Sequence, residues 1–141
     1  MDGGGKGELK APGLKNLKVA TPPEFNGHEG VWSPEHYFVA SLNACFMTTF
    51  LAIAEMSKLE FLEFSCKTQR KLDKVEGVGF QIMEILLQPK VVIRNSQDLQ
   101  RAGRILEKAE RNCLISNSVK TAIKMQPELA AANEQNLLTL T

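Results

Sequence analysis

Three cysteines carry whatever thiol chemistry this chain has: Cys45 in "SLNACFMTTF", Cys66 in "EFSCKTQRKL" and Cys113 in "RNCLISNSV". A thiol acts as a nucleophile only once it is ionised, so the setting of each decides what it can do. Cys45 stands among Ala44, Phe46 and Met47, where a cysteine ordinarily behaves as a small hydrophobe and burial opposes the thiolate. Cys113 sits where a charged helix runs out; a new turn starting at Leu114 would offer free N–H groups that stabilise a thiolate there. Cys66 alternates with Phe64 and Thr68 and reads as strand packing. From the residues alone, Cys45 and Cys113 are either two inert core residues or one redox site, and their separation in sequence does not decide between the two. No CxxC and no paired-histidine spacing occurs, so no metal site is expected. His28 and His36 are the only bases for a cysteine–histidine pair, and nothing beyond their presence supports one. No phosphate-binding glycine motif provides for a nucleotide, so no cofactor is expected.

The elements that must position these residues are legible in outline. A hairpin is expected over 8–20 around Pro12-Gly13, then a loop punctuated by Pro22-Pro23 and Asn26-Gly27. Ser33, Pro34 and Glu35 form a strong helix start, with a cap, a proline at the first position and an acid at the positive end. That helix runs to about Lys58. Phe64, Cys66, Thr68, Arg70 and Leu72 share one face of the next segment, as in a strand with one solvated side. A second extended run follows Val75–Gly79, with Pro89 marking an edge or a bulge. Leu99, Ala102, Leu106, Ala109 and Cys113 stay within one stripe at helical spacing, so a helix capped by Ser96 ends its buried face at Cys113. "KTAIKMQPEL" reads as one final strand. The order is that of an α+β domain.

Composition narrows the function. The chain has 141 residues, enough for one domain, with a net charge of +1. Such a balance gives no support for nucleic acid or an anionic membrane surface as a partner. An odd, small number of cysteines points to a reducing, cytoplasmic setting. The glycine-rich residues 1–7 contain no apolar stretch and read as a disordered lead-in, not a signal peptide. From His36 to Ala54 no residue is charged, a run just long enough to span a bilayer. Ser41, Asn43, Thr48 and Thr49 interrupt it, and a helix apolar nearly all round is equally the centre of a packed protein; no membrane span is expected.

"SPEHYFVASLNACFMTTFLAIAE", followed much later by "LEKAERNCLISNSV", resembles the OsmC/Ohr family, the osmotically inducible and organic hydroperoxide resistance proteins. In that family a first helix opens with Asn-Pro-Glu or Ser-Pro-Glu and bears a cysteine ten residues after the acid, as Glu35 and Cys45 do here. A second helix leads into Cys-Pro-Val-Ser or a variant, here Cys113-Leu114-Ile115-Ser116. The likeness covers about residues 20–129 and implies a single OsmC-like domain over 8–129, with 130–141 as a C-terminal tail. It implies an intertwined homodimer, with long apolar helices on curved, mainly antiparallel sheets and active sites at the subunit interface. It implies a thiol peroxidase that reduces organic hydroperoxides and hydrogen peroxide without metal or haem. Cys45 would be the attacking thiolate, Cys113 the resolving thiol, Glu35 an orienting carboxylate, and a lipoyl-type dithiol the reductant. The family pairs its thiolate with an arginine from an early strand, yet the first arginine here is Arg70. Lys15, Lys18 and Arg70 are the candidate cations in its place. The alternative is a non-catalytic dimer of the same fold that binds a small apolar ligand or senses redox state through its thiols.

Overall fold

The computed structural model describes residues 5–132; residues 1–4 of the expected lead-in and 133–141 of the expected tail lie outside the described residues. The chain divides into two compact units, Met1–Ala40 and Ser41–Thr141.

In the first unit the expected hairpin forms. Strand β1 (Lys6–Leu9) pairs antiparallel with β2 (Leu17–Ala20), Lys6 opposite Ala20 and Leu9 opposite Leu17. The strand therefore begins inside the stretch read as lead-in. The loop after β2 folds back tightly. A 3-10 turn, Pro23–Phe25, ends at Asn26 in the left-handed region. Gly27 lies so close to the backbone of Thr21 and Pro22 that a Cβ there would collide with it, which only glycine avoids. Ser33 then opens helix α1 (Pro34–Met56) as expected. The His36 N–H donates to Ser33 Oγ (3.2 Å), and the Ser33 N–H donates to His36 Nδ1 (3.0 Å). This is a capping box with histidine where glutamate is usual, so the His36 ring is committed to the cap.

In the second unit α1 buries Leu42, Phe46, Phe50 and Ala54, one face at helical spacing. Phe50 stacks on Phe64 with ring centroids 4.7 Å apart and meets Phe61 edge-on at 5.6 Å. The opposite face, Ala44, Met47, Thr48 and Leu51, is exposed. By length and composition α1 could cross a membrane, but its aromatic face is occupied by the sheet. The helix stops at Lys58, whose φ of 55° is left-handed. The Leu59 N–H then reaches the Ala54 carbonyl at 2.9 Å, as in a Schellman cap.

Strands β3 (Phe61–Val75) and β4 (Gly79–Ile93) form one long antiparallel hairpin, turning where the sequence predicts. Strands β5 (Ala122–Met125) and β6 (Glu128–Ala131) both run parallel to β4 along its other side. The large sheet is thus mixed: the hairpin is antiparallel and the last two strands are not. The single final strand expected from "KTAIKMQPEL" is two, broken at Gln126-Pro127 because Pro127 cannot donate to a ladder. Pro89 also departs from expectation. It lies in the central strand, opposite Cys66, and the register shifts of β3 fall elsewhere. It stands beside the gap between β5 and β6, where neither short strand pairs with it, so its missing N–H is tolerated.

Helix α2 (Leu99–Arg111) buries Ala102, Ile105, Leu106 and Ala109, and the buried stripe ends at Cys113. Ser96 does not cap it. Ser96–Asp98 form a 3-10 turn, and Asp98 occupies the cap without a side-chain cap bond. The Asp98 carboxylate takes Arg101 instead, at 3.4 Å. The helix lies on β6, where Gly103 faces Leu129. This docking delivers the end of α2 to the middle of α1.

Candidate active site

Cys45 projects from the flank of α1, between its buried and exposed faces. It is part-buried, Cys113 is fully buried, and both are free thiols. The Cys113 thiol donates to the Cys45 sulfur, so residues distant in sequence are hydrogen-bonded neighbours. Burial works against ionising Cys45, but donors outweigh it: the Ile115 N–H, the Cys113 thiol, the Leu114 N–H and the Thr49 hydroxyl. The net effect lowers its pKa below the ordinary thiol value. Thr49 donates to the Cys45 carbonyl at 2.7 Å, and Thr48 donates to the same oxygen at 3.1 Å. On ionisation Thr49 can turn its one proton to the sulfur while Thr48 keeps the carbonyl satisfied.

Cys113 is shifted the other way. Burial pushes its thiol up, and a charged Cys45 beside it raises it further. The Ser116 hydroxyl and amide favour its thiolate, too weakly to offset these. Ser116 Oγ is buried and has no hydrogen-bond partner among the described residues. The turn after Cys113 was expected to favour a Cys113 thiolate; its first two amides act on Cys45 instead. Cys66 is apart from this pair. Burial in the sheet pushes it up to about 11; its thiol reaches the Lys67 carbonyl, and the Cys66 carbonyl accepts from Asn43 Nδ2 at 3.0 Å.

Glu35 lies in the first turn of α1, with Oε2 buried and unpartnered among the described residues. Lys15 and Lys18 belong to the first unit; the Lys18 carbonyl accepts the Tyr37 hydroxyl at 2.6 Å. Arg70 is exposed on β3, opposite Ile85. It keeps the expected alternation with Cys66 and Thr68, since the register shifts only after Lys71, but it is exposed where they are half-buried. The four groups that favour the Cys45 thiolate are uncharged, and Arg70 is not among them. Among the described residues, no three histidine, cysteine or acidic side chains cluster as metal ligands.

Sequence reading missed Thr49 and the amides of Leu114 and Ile115. Thr49 was recoverable, since residues four apart on a helix are neighbours. The amides were not, because backbone donors have no letter in a sequence.

The family model described as OsmC-like protein matches residues 27–128 of the chain. The chain is 25% identical over 113 residues to YmaD, an uncharacterized protein of Bacillus subtilis (strain 168), covering 78% of this chain and 75% of that one. An OsmC-like protein of unknown function from Vibrio cholerae is similar in structure, with a TM-score of 0.79 and 24% identity over 86% of this chain and 83% of that one. An organic hydroperoxide resistance protein OsmC from Legionella pneumophila is similar too, with a TM-score of 0.68 and 24% identity over 84% of this chain and 83% of its own.

Proposed function

The chain belongs to the OsmC-like protein family, and from that membership we propose that it is a cytoplasmic, thiol-dependent peroxidase that reduces organic hydroperoxides. The observation that carries the reading is the Cys45–Cys113 contact, with the two thiols shifted in opposite directions. In this reading the Cys45 thiolate attacks the terminal oxygen of the hydroperoxide. The O–O bond breaks, its electron pair leaves with the alkoxide, and the alkoxide takes a proton and departs as alcohol. Cys45 is left as a sulfenic acid. The Cys113 thiol then attacks the Cys45 sulfur; the disulfide forms and water leaves. A small dithiol reductant of lipoyl type restores both thiols by two exchanges and is itself oxidised to its disulfide.

The working unit in this reading is a homodimer. The exposed Ala44, Met47, Thr48 and Leu51 face of α1 gives a second copy a largely apolar surface to cover. The unpartnered Glu35 Oε2 is a group for which a second copy would supply a donor, since a buried carboxylate oxygen left alone is costly.

The alternative, a ligand-binding or redox-sensing dimer, draws on one observation: among the described residues, the groups that favour the Cys45 thiolate are uncharged. Consumption of cumene hydroperoxide with a dithiol reductant separates the two. The peroxidase reading predicts turnover, preferring the organic peroxide to hydrogen peroxide, and none in Cys45→Ser. A Cys113→Ser protein should complete only the first oxidation, with a dimedone-type trap labelling Cys45. Absence of turnover in the unmodified protein would favour the alternative.

A further inference from the structure

The loop that follows α2 is fixed at both ends. Asn117 Nδ2 donates to the Arg111 carbonyl at 2.9 Å, and Ser118 Oγ donates to the Leu114 carbonyl at 2.8 Å. The Asn117 N–H reaches the Cys113 carbonyl at 3.1 Å, and the Ser118 N–H reaches the Ile115 carbonyl at 3.0 Å. Within this frame the Leu114 and Ile115 N–H groups bond no backbone carbonyl among the described residues; both are directed at the Cys45 sulfur. The Leu114 side chain is 71% exposed, so it is not packing that ties a leucine to this position. A proline at this position would have no N–H to give.

We propose that the backbone amides of Leu114 and Ile115 hold the Cys45 thiolate in place of a cation, and that a non-proline residue at position 114 is what makes the first of these donors available. Hydrogen bonds to a charged group are the strong ones, and two fixed amides need no reorganisation when the charge forms. The assignment rests on Cys45 being the attacking thiol of the proposed peroxidase, and it names what makes that thiol competent without arginine.

The test is Leu114→Pro in the full-length protein. It deletes one N–H, and proline suits the first position of the turn that Asn117 closes. Iodoacetamide labelling of each cysteine, followed against pH by peptide mapping, reads the ionisation of Cys45 directly. The expected result is a Cys45 midpoint about one pH unit higher, and labelling about tenfold slower at pH well below it. Cys66, in the same protein, should keep its profile, an internal control that general unfolding would not spare. An unchanged Cys45 midpoint in a folded Leu114→Pro protein overturns the proposal. If that variant fails to fold by circular dichroism, an ester in place of the 113–114 peptide bond, made by semisynthesis, removes the same N–H with the leucine kept. It must give the same shift. Hydroperoxide turnover by the unmodified protein with no shift in either variant sinks this assignment alone. A shift without any turnover sinks the peroxidase reading and leaves the amide assignment standing.

Discussion

Because Cys45 is shifted down and Cys113 up, there is a pH range in which the first sulfur is charged while its neighbour still holds a proton. That is the division of labour an attacking and a resolving thiol need. A thiol reacts in proportion to its ionised fraction, so its labelling rate rises with pH and levels off above its pKa. Cys45 should therefore level off below the ordinary thiol range, whereas Cys66, pushed up to about 11, should still be rising at pH 10. Iodoacetamide labelling with peptide mapping checks both; a Cys66 that labels ahead of Cys45 at pH 7 would contradict the shifts. Thr49→Val removes one hydroxyl donor and keeps the volume. Its Cys45 midpoint should rise by less than about one pH unit, a neutral donor's share of the stabilisation. No change in that midpoint would mean that Thr49 serves only the carbonyl. At this scale the residue types were legible, and so was the spacing of Glu35 and Cys45. The Cys45–Cys113 contact was not, because it depends on a sheet that turns the chain back between them.

The central helix depends on two local devices, its aromatic face and its cap. Phe50 is fully buried between Phe61 and Phe64. Phe50→Ala should cost about 3–5 kcal/mol, from lost burial plus the cavity left behind, measured by urea denaturation. A loss under about 1 kcal/mol would mean that the sheet closes over the gap. Ser33→Ala removes the acceptor for the His36 N–H and should cost about 1 kcal/mol by the same measurement. The start of α1 was readable because Ser-Pro-Glu states its own capping chemistry, and the β3–β4 turn because alternation stops at glycine. The break between β5 and β6 was legible in principle at Pro127. The parallel pairing of both strands with β4 was not, since a strand's partner is set by the crossover that brings it back, here through α2. Alternation along β3 places Arg70 with Cys66 and Thr68, and the register shifts only after Lys71; the exposure of Arg70 was not legible, because alternation fixes a face and not how much of it is covered.

For the whole molecule, the proposed dimer and the proposed chemistry stand on the same helix. Its inner face is filled by the sheet, while Ala44, Met47, Thr48 and Leu51 remain exposed. Light scattering should give twice the chain mass, and Leu51→Asp, which puts a charge into that face, should weaken the dimer and lower the yield of folded protein. Wild-type protein running as a monomer would contradict this. The sequence motive for the proposed second copy is the uncharged run from His36 to Ala54. The proposed chemistry makes Cys45 and Cys113 one redox pair. It is tested most directly by oxidising the reduced protein with one equivalent of cumene hydroperoxide, then mapping its peptides by mass spectrometry without reduction. A Cys45–Cys113 disulfide with Cys66 still a free thiol is the expected result; a linkage through Cys66, or oxidation that leaves Cys45 and Cys113 unlinked, would contradict the pairing.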